Sequence, residues 1–101
     1  MLEKFENVYV KVFNEYSSND TQKAFRKLEI YSANKLIQPI SFFIDEEDFK
    51  NLPKNLSFND DTEFDEPYNV ILLVNEINFG NGRMLPVIVD FLFYSVAKKY
   101  V

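Results

Sequence analysis

Five carboxylates stand close together in the segment FNDDTEFDEPY, residues 58–68. Carboxylates at this density can coordinate calcium, serve as general acids and bases, or attract a basic partner. A calcium loop needs about six to eight oxygen ligands around a sharp turn, and this segment lacks the glycine and the closing glutamate of the EF-hand spacing. The sequence therefore predicts no metal site here.

This chain contains few side chains that are suited to catalysis. There is no cysteine and no histidine, which excludes thiolate nucleophiles, thiolate zinc sites and the commonest general base at neutral pH. Asp90 and Glu76 lie within apolar runs, where burial can raise the pKa of a carboxyl group. We expect both side chains to point outward, and we expect a protein that is not an enzyme and needs no cofactor.

The negative charge is concentrated in the middle of the chain. The net charge is −5, and between residues 45 and 79 ten acidic residues stand against only Lys50 and Lys54, for a local net charge of −8. Such a field repels phosphates, so we expect no direct binding of nucleic acid. It attracts basic proteins and suppresses wrong partners.

Two acidic clusters with neighbouring aromatic residues form the predicted binding surface, although a merely solvated acidic loop explains them too. The small size, the acidity and the lack of catalytic side chains resemble those of bacterial toxin-immunity proteins and phage-encoded inhibitors. That resemblance implies neutralisation of a basic partner, such as a toxin or a nucleic-acid-processing enzyme. The predicted partner-binding residues are Asp45, Glu46, Glu47, Asp48, Phe58, Asp60, Asp61, Glu63, Phe64, Asp65, Glu66 and Tyr68.

Two helices are predicted to precede this region. Residues 2–16 place most of their apolar side chains on one side of a helical wheel, although residues 8–13 alone also fit a strand. Asn19 and Gln22 have capping-box spacing and predict that a second helix begins there. The later half of that helix, residues 28–31, also fits an extended strand.

Strands are predicted for the rest of the chain. Residues 40–44 are a short apolar run, and the acidic residues 45–48 suit the first turn of a short helix. Residues 68–79 are strand-like, and the Asn81-Gly82 dipeptide predicts a hairpin to a strand at 84–94. A helix that starts near Pro86 is the alternative for the last segment.

The predicted fold is therefore a single α+β domain of residues 1–101, with two N-terminal helices packed on a small, mainly antiparallel sheet that ends in a C-terminal β-hairpin. No run of about 18 apolar residues and no signal-peptide pattern is present, so a cytoplasmic protein without a membrane segment is expected. The alternative function is that of an assembly subunit, a homodimer joined through a sheet edge or through the apolar residues 92–101.

Overall fold

In the computed structural model, most of the described residues are in β-strands. The structure describes residues 1–18, 24–32, 37–54, 56–58 and 67–96. Within them no helix has the length and apolar character needed to cross a membrane. The elements of these residues are β1 (Leu2–Ser18), β2 (Ala24–Ser32), β3 (Ile40–Asp45), α1 (Glu46–Phe49), β4 (Ser57–Phe58), β5 (Tyr68–Asn78) and β6 (Met84–Ser95).

The prediction of an α+β fold with two N-terminal helices is wrong. The first predicted helix is the long strand β1, in which Val8, Val10 and Val12 are buried at alternate positions. The second is largely β2, in which Leu28 and Ile30 are buried in the same alternating pattern. Both segments are strands because β1 and β2 pair antiparallel with each other, and this long-range pairing overrides the local helical pattern. The capping residues proposed for the second helix lie outside the described residues.

The strands close into a barrel. Their order is β2-β3-β6-β5-β1, and β1 also pairs with β2, so that β1 closes the ring between β5 and β2. All neighbours in this ring are antiparallel except β3 and β6. The five-stranded ring, with its short helix between the third and fourth barrel strands, has the strand order of an OB-fold. Because one architecture serves many functions, the function must be argued from the sites.

A bend in β1 allows it to serve both neighbours. Asn7 has a φ of 54° at the point where the register between β1 and β5 shifts, between Phe5 and Val8. Asparagine tolerates this left-handed conformation better than most residues. The backbone N–H of Asn7 donates to Oδ1 of Asn69, at 2.9 Å, which holds the irregular position against β5.

The C-terminal half contains the hairpin that the Asn-Gly dipeptide indicates. β5 and β6 pair antiparallel from Tyr68 with Ser95 to Asn78 with Met84, so residues 84–95 are a strand and not a helix. The turn between them has φ of 56° at Asn81 and 73° at Gly82, the positive values that a tight hairpin turn requires.

The barrel interior is filled by aliphatic side chains from every long strand. Those with the least exposure are Leu28, Ile44, Leu72, Ile88, Val12, Val70 and Val74. A smaller cluster at one end consists of Phe25, Phe79 and Val87.

Candidate functional site

The acidic segment belongs to the connection between β3 and β5, which starts with α1. The side chain of Asp45 caps this helix, since its Oδ1 accepts a hydrogen bond from the backbone N–H of Glu47 at 2.8 Å. The first turn contains Glu46, Glu47 and Asp48, the acidic side chains that a helix N-terminus favours. Glu47 is exposed, whereas Asp45 and Asp48 are half-buried.

One of these carboxylates is committed to the fold. The guanidinium of Arg26 donates to Glu46 Oε1 through Nε at 3.2 Å and through Nη2 at 3.0 Å, and to Oε2 at 3.1 Å. Arg26 is only 9% exposed, and its guanidinium carbon lies 4.0 Å from the ring centroid of Phe49. The pair therefore fastens α1 to β2, and Glu46 is an internal ion-pair partner of the barrel.

An apolar cavity of about 330 Å³ lies between α1 and the middle of β1. Its apolar walls come from β1, from α1 and from the chain that follows α1. Two exposed lysines stand at its rim. The lining residues are Val12, Phe49, Lys50, Leu52, Pro53, Lys54 and Leu56.

The second acidic cluster continues the same connection. Asp60, Asp61, Glu63, Phe64, Asp65 and Glu66 lie outside the described residues.

The residues that bracket this cluster are both placed against β1. Phe58 pairs with Val12, and Tyr68 pairs with Val8. The attachment points are therefore about 13 Å apart along one strand, at about 3.3 Å per residue. Tyr68 itself is 5% exposed and its ring packs at 5.7 Å from that of Phe93, so in the structure it is a core residue and not a surface anchor.

A second surface, which was not predicted from the sequence, lies on the outer face of β1 and β2. The ammonium of Lys11 lies 5.9 Å from the ring centroid of Tyr31, and that of Lys27 lies 5.1 Å from the ring of Phe13. Glu29 joins the two halves, because it forms an ion pair with Lys27 at 3.3 Å and accepts a hydrogen bond from the Tyr31 hydroxyl at 2.5 Å. We call these five side chains the lysine–aromatic face.

The signal for this face was the alternation of Lys27, Glu29 and Tyr31 with buried neighbours in β2. A helical interpretation of the same residues concealed it, because residues two apart do not share a face on a helix.

Tyr31 provides a test of this face. Burial, and then the hydrogen bond and charge of Glu29, raise the pKa of the Tyr31 phenol to about 12 from 10.0. The folded state therefore binds the phenol proton of Tyr31 more tightly than the unfolded state does. The contribution of this proton to the stability of the fold is complete below pH 10 and is lost as the pH rises through about 12. We expect Glu29→Gln to lower the Tyr31 pKa.

The measurement is phenolate absorbance during alkaline titration. The chain contains six tyrosines, so the Tyr31 component is isolated as the difference between the wild type and Tyr31→Phe. If the Tyr31→Phe variant still shows a phenolate component near pH 12, that component does not belong to Tyr31.

The two candidate catalytic carboxylates are exposed. Asp90 projects from β6 and accepts a hydrogen bond from the N–H of Phe91 at 2.9 Å, and Glu76 projects from β5. Both side chains therefore lie on the outer surface of the barrel. In the part of the chain that the structure describes, no three acidic side chains gather into a group able to hold a metal ion.

The site is thus an acidic connection beside an apolar cavity, with the lysine–aromatic face on the outside of the neighbouring strands. No protein-family model matches the chain, and the searches of curated proteins and of solved structures also give no match.

Proposed function

We propose that this protein is a small binding module that neutralises a basic protein partner by covering that partner's functional surface. The partner is a protein with a cluster of lysine and arginine side chains, of the kind found in toxins and nucleic-acid-processing enzymes. Inhibition is by occlusion, so the chain performs no bond chemistry and uses no cofactor.

The observation that carries this proposal is the apolar cavity beside the acidic connection. Protein interfaces obtain most of their affinity from a few apolar or aromatic anchors that enter well-packed pockets, and charged rims supply orientation and association rate. The cavity between Phe49, Leu52 and Val12 has the size and lining for one such anchor. Glu47 lies on α1, whose Phe49 forms part of the cavity wall.

The charge on the connection favours a basic partner. Besides the carboxylates on α1, five more occur between the two points where the chain is paired to β1. The exposed Lys50 and Lys54 offset part of the field at the cavity rim. Residues 60–66 therefore supply most of the attraction in this proposal.

The experiment measures the affinity for a partner captured from the native host, before and after charge reversal. We expect the combined change of Asp60, Asp61, Glu63, Asp65 and Glu66 to lysine to weaken binding by about a hundredfold or more, and added salt to weaken the wild-type complex.

A matched pair of single variants localises the effect. Glu47 lies on α1, the helix that contributes Phe49 to the cavity wall, whereas Glu76 lies on β5, and both positions are exposed. The two variants are Glu47→Lys and Glu76→Lys. Only the first is expected to weaken binding, by about tenfold. If the affinity for the partner is unchanged both by the charge reversal of all five residues and by a rise in salt, the acidic connection is not the contact surface.

A second candidate function, binding of a single-stranded nucleic acid, is favoured by the lysine–aromatic face alone. A single-stranded nucleic acid can stack its bases on aromatic rings and pair its phosphates with lysines that lie between those rings. In many OB-fold barrels, the face formed by the second and third strands binds the ligand. The negative net charge opposes this candidate. Fluorescence anisotropy of a labelled oligonucleotide at low salt tests this candidate. Binding by the wild type that is abolished in the double variant Lys11→Glu, Lys27→Glu would support it. No binding by the wild type would reject it.

A further inference from the structure

Part of β6 is paired on one side only among the described residues. β3 meets β6 at Val87 and Ile88 and then ends, because the chain turns into α1 after Asp45. From residue 90 to residue 95, β6 pairs with β5 alone, and Val89 lies at the register shift between Ile88 and Asp90. In the part of the chain that the structure describes, the barrel therefore has an open strand edge of seven residues, which we call the β6 edge (residues 89–95).

The backbone groups that face this edge can be identified from the pairing. The N–H of Val96 donates to the carbonyl of Pro67, next to β5, at 3.2 Å. Since N–H groups alternate in direction along a strand, those of Phe91, Phe93 and Ser95 point away from β5. Consistent with this, the Phe91 N–H donates to the side chain of its neighbour Asp90 instead of to the ladder.

The side chains of the β6 edge are unusually apolar for a strand that is paired on one side only. Val89, Leu92 and Tyr94 are 42%, 48% and 49% exposed, respectively. Proteins protect open edges with lysine, proline or inward-pointing charges, and between residues 89 and 95 there is no lysine and no proline. Asp90 is the single charged residue of the edge.

We propose that two copies of this chain pair antiparallel through their β6 edges, on a two-fold axis that passes through Leu92. This register uses the whole open edge, because Leu92 is its midpoint. It places Phe91 of each copy opposite Phe93 of the other. Both residues direct their N–H and C=O groups outward, so they form the hydrogen-bonded pairs of the new ladder.

The register is also complementary in its side chains. Each Asp90 lies opposite Tyr94 of the second copy, so the two carboxylates are kept apart. In the dimer, the Phe91 N–H donates to the carbonyl of Phe93 in the second copy instead of to the carboxylate of Asp90 in its own chain. Since Phe91 and Phe93 pack against the main core on their inner side, the two apolar interiors become continuous across the axis. Self-association through this edge is independent of the acidic connection and goes beyond the proposed inhibitory function.

The decisive test is sedimentation of the pure protein over a concentration series. The wild type is expected to shift from the 12.0 kDa monomer to twice that mass. Leu92→Lys places two like charges directly opposite each other at the axis, so we expect a rise of about tenfold or more in the dimer dissociation constant. Met84→Lys, at a similarly exposed position of β6 that pairs with Asn78 at the hairpin end and lies outside the β6 edge, is the control and is expected to leave the dimer unchanged.

Hydrogen exchange tests the register in the same samples. The amides of Phe91 and Phe93 are expected to gain protection as concentration rises, whereas those of Leu92 and Tyr94 are protected throughout by β5. A wild type that remains monomeric throughout would overturn the proposal. So would an effect of Met84→Lys equal to that of Leu92→Lys, since this would show that the dimer does not depend on the β6 edge.

Discussion

Replacement of Leu72 by alanine is expected to lower the free energy of unfolding by about 2–5 kcal/mol. Leu72 has no exposed surface and lies near the middle of β5, which is paired on both sides, with β1 and with β6. Truncation there leaves a cavity that the surrounding strands cannot close, so the loss includes both the transfer of the removed atoms and the cavity term.

The adjacent residue is a matched control. Leu73 has the same side chain on the same strand but is 42% exposed, so Leu73→Ala is expected to change stability by about 0.5 kcal/mol or less. Urea denaturation of both variants measures the difference, provided that the denaturant slope is the same for each. Similar losses for the two variants would contradict the alternation of buried and exposed faces in β5.

Replacement of Arg26 by alanine is expected to lower the free energy of unfolding by about 2–3 kcal/mol. Arg26 is nearly buried and forms three hydrogen bonds to Glu46 while its guanidinium covers Phe49. The Glu46 side chain retains 34% of its exposure, so its carboxylate can recover water when the arginine is removed. That recovery keeps the expected loss below the value for a fully buried pair.

The arginine control is Arg83, which is exposed and lies 5.9 Å from the ring of Phe79. Arg83→Ala is expected to cost about 0.5 kcal/mol or less. A double-mutant cycle of Arg26→Ala with Glu46→Ala isolates the pair, and an interaction energy near zero would show that the ion pair does not hold α1 in place. Because α1 borders the cavity, loss of the pair is also expected to weaken binding of the proposed partner.

The elements with strong local signals were predicted correctly. The Asn81-Gly82 turn requires positive φ at both positions, and few other structures use this dipeptide between apolar runs. The acidic turn after β3 combines a capping side chain with carboxylates at a helix N-terminus. Each signal lies within a few residues and acts through local backbone geometry, so no tertiary contact was needed to interpret it.

The N-terminal half could not be assigned from its own residues. Residues 2–16 fit a helical stripe, while Val8, Val10 and Val12 fit the period of a strand equally well. The choice depends on hydrogen bonds to β2 and β5, and Leu2 pairs with Leu73 in β5, which is far away in the sequence. A local pattern contains no information on such partners.

The candidate site shows the same division. The density of carboxylates after residue 45 was evident from the sequence, but the pairing of Glu46 with an arginine twenty residues earlier was not. Tyr68 was expected at the surface because it ends an acidic segment, yet it is buried since it begins β5 between β1 and β6.

The sequence by itself determined the composition of the domain, the position of its negative charge, the C-terminal hairpin and the short acidic helix. Only the tertiary structure decided that β1 bends between two neighbours to close a barrel, which carboxylate is neutralised internally, and which strand edge stays open. The physical reason is that charge and turn geometry are properties of neighbouring residues, whereas strand pairing and burial depend on groups brought together from distant parts of the chain.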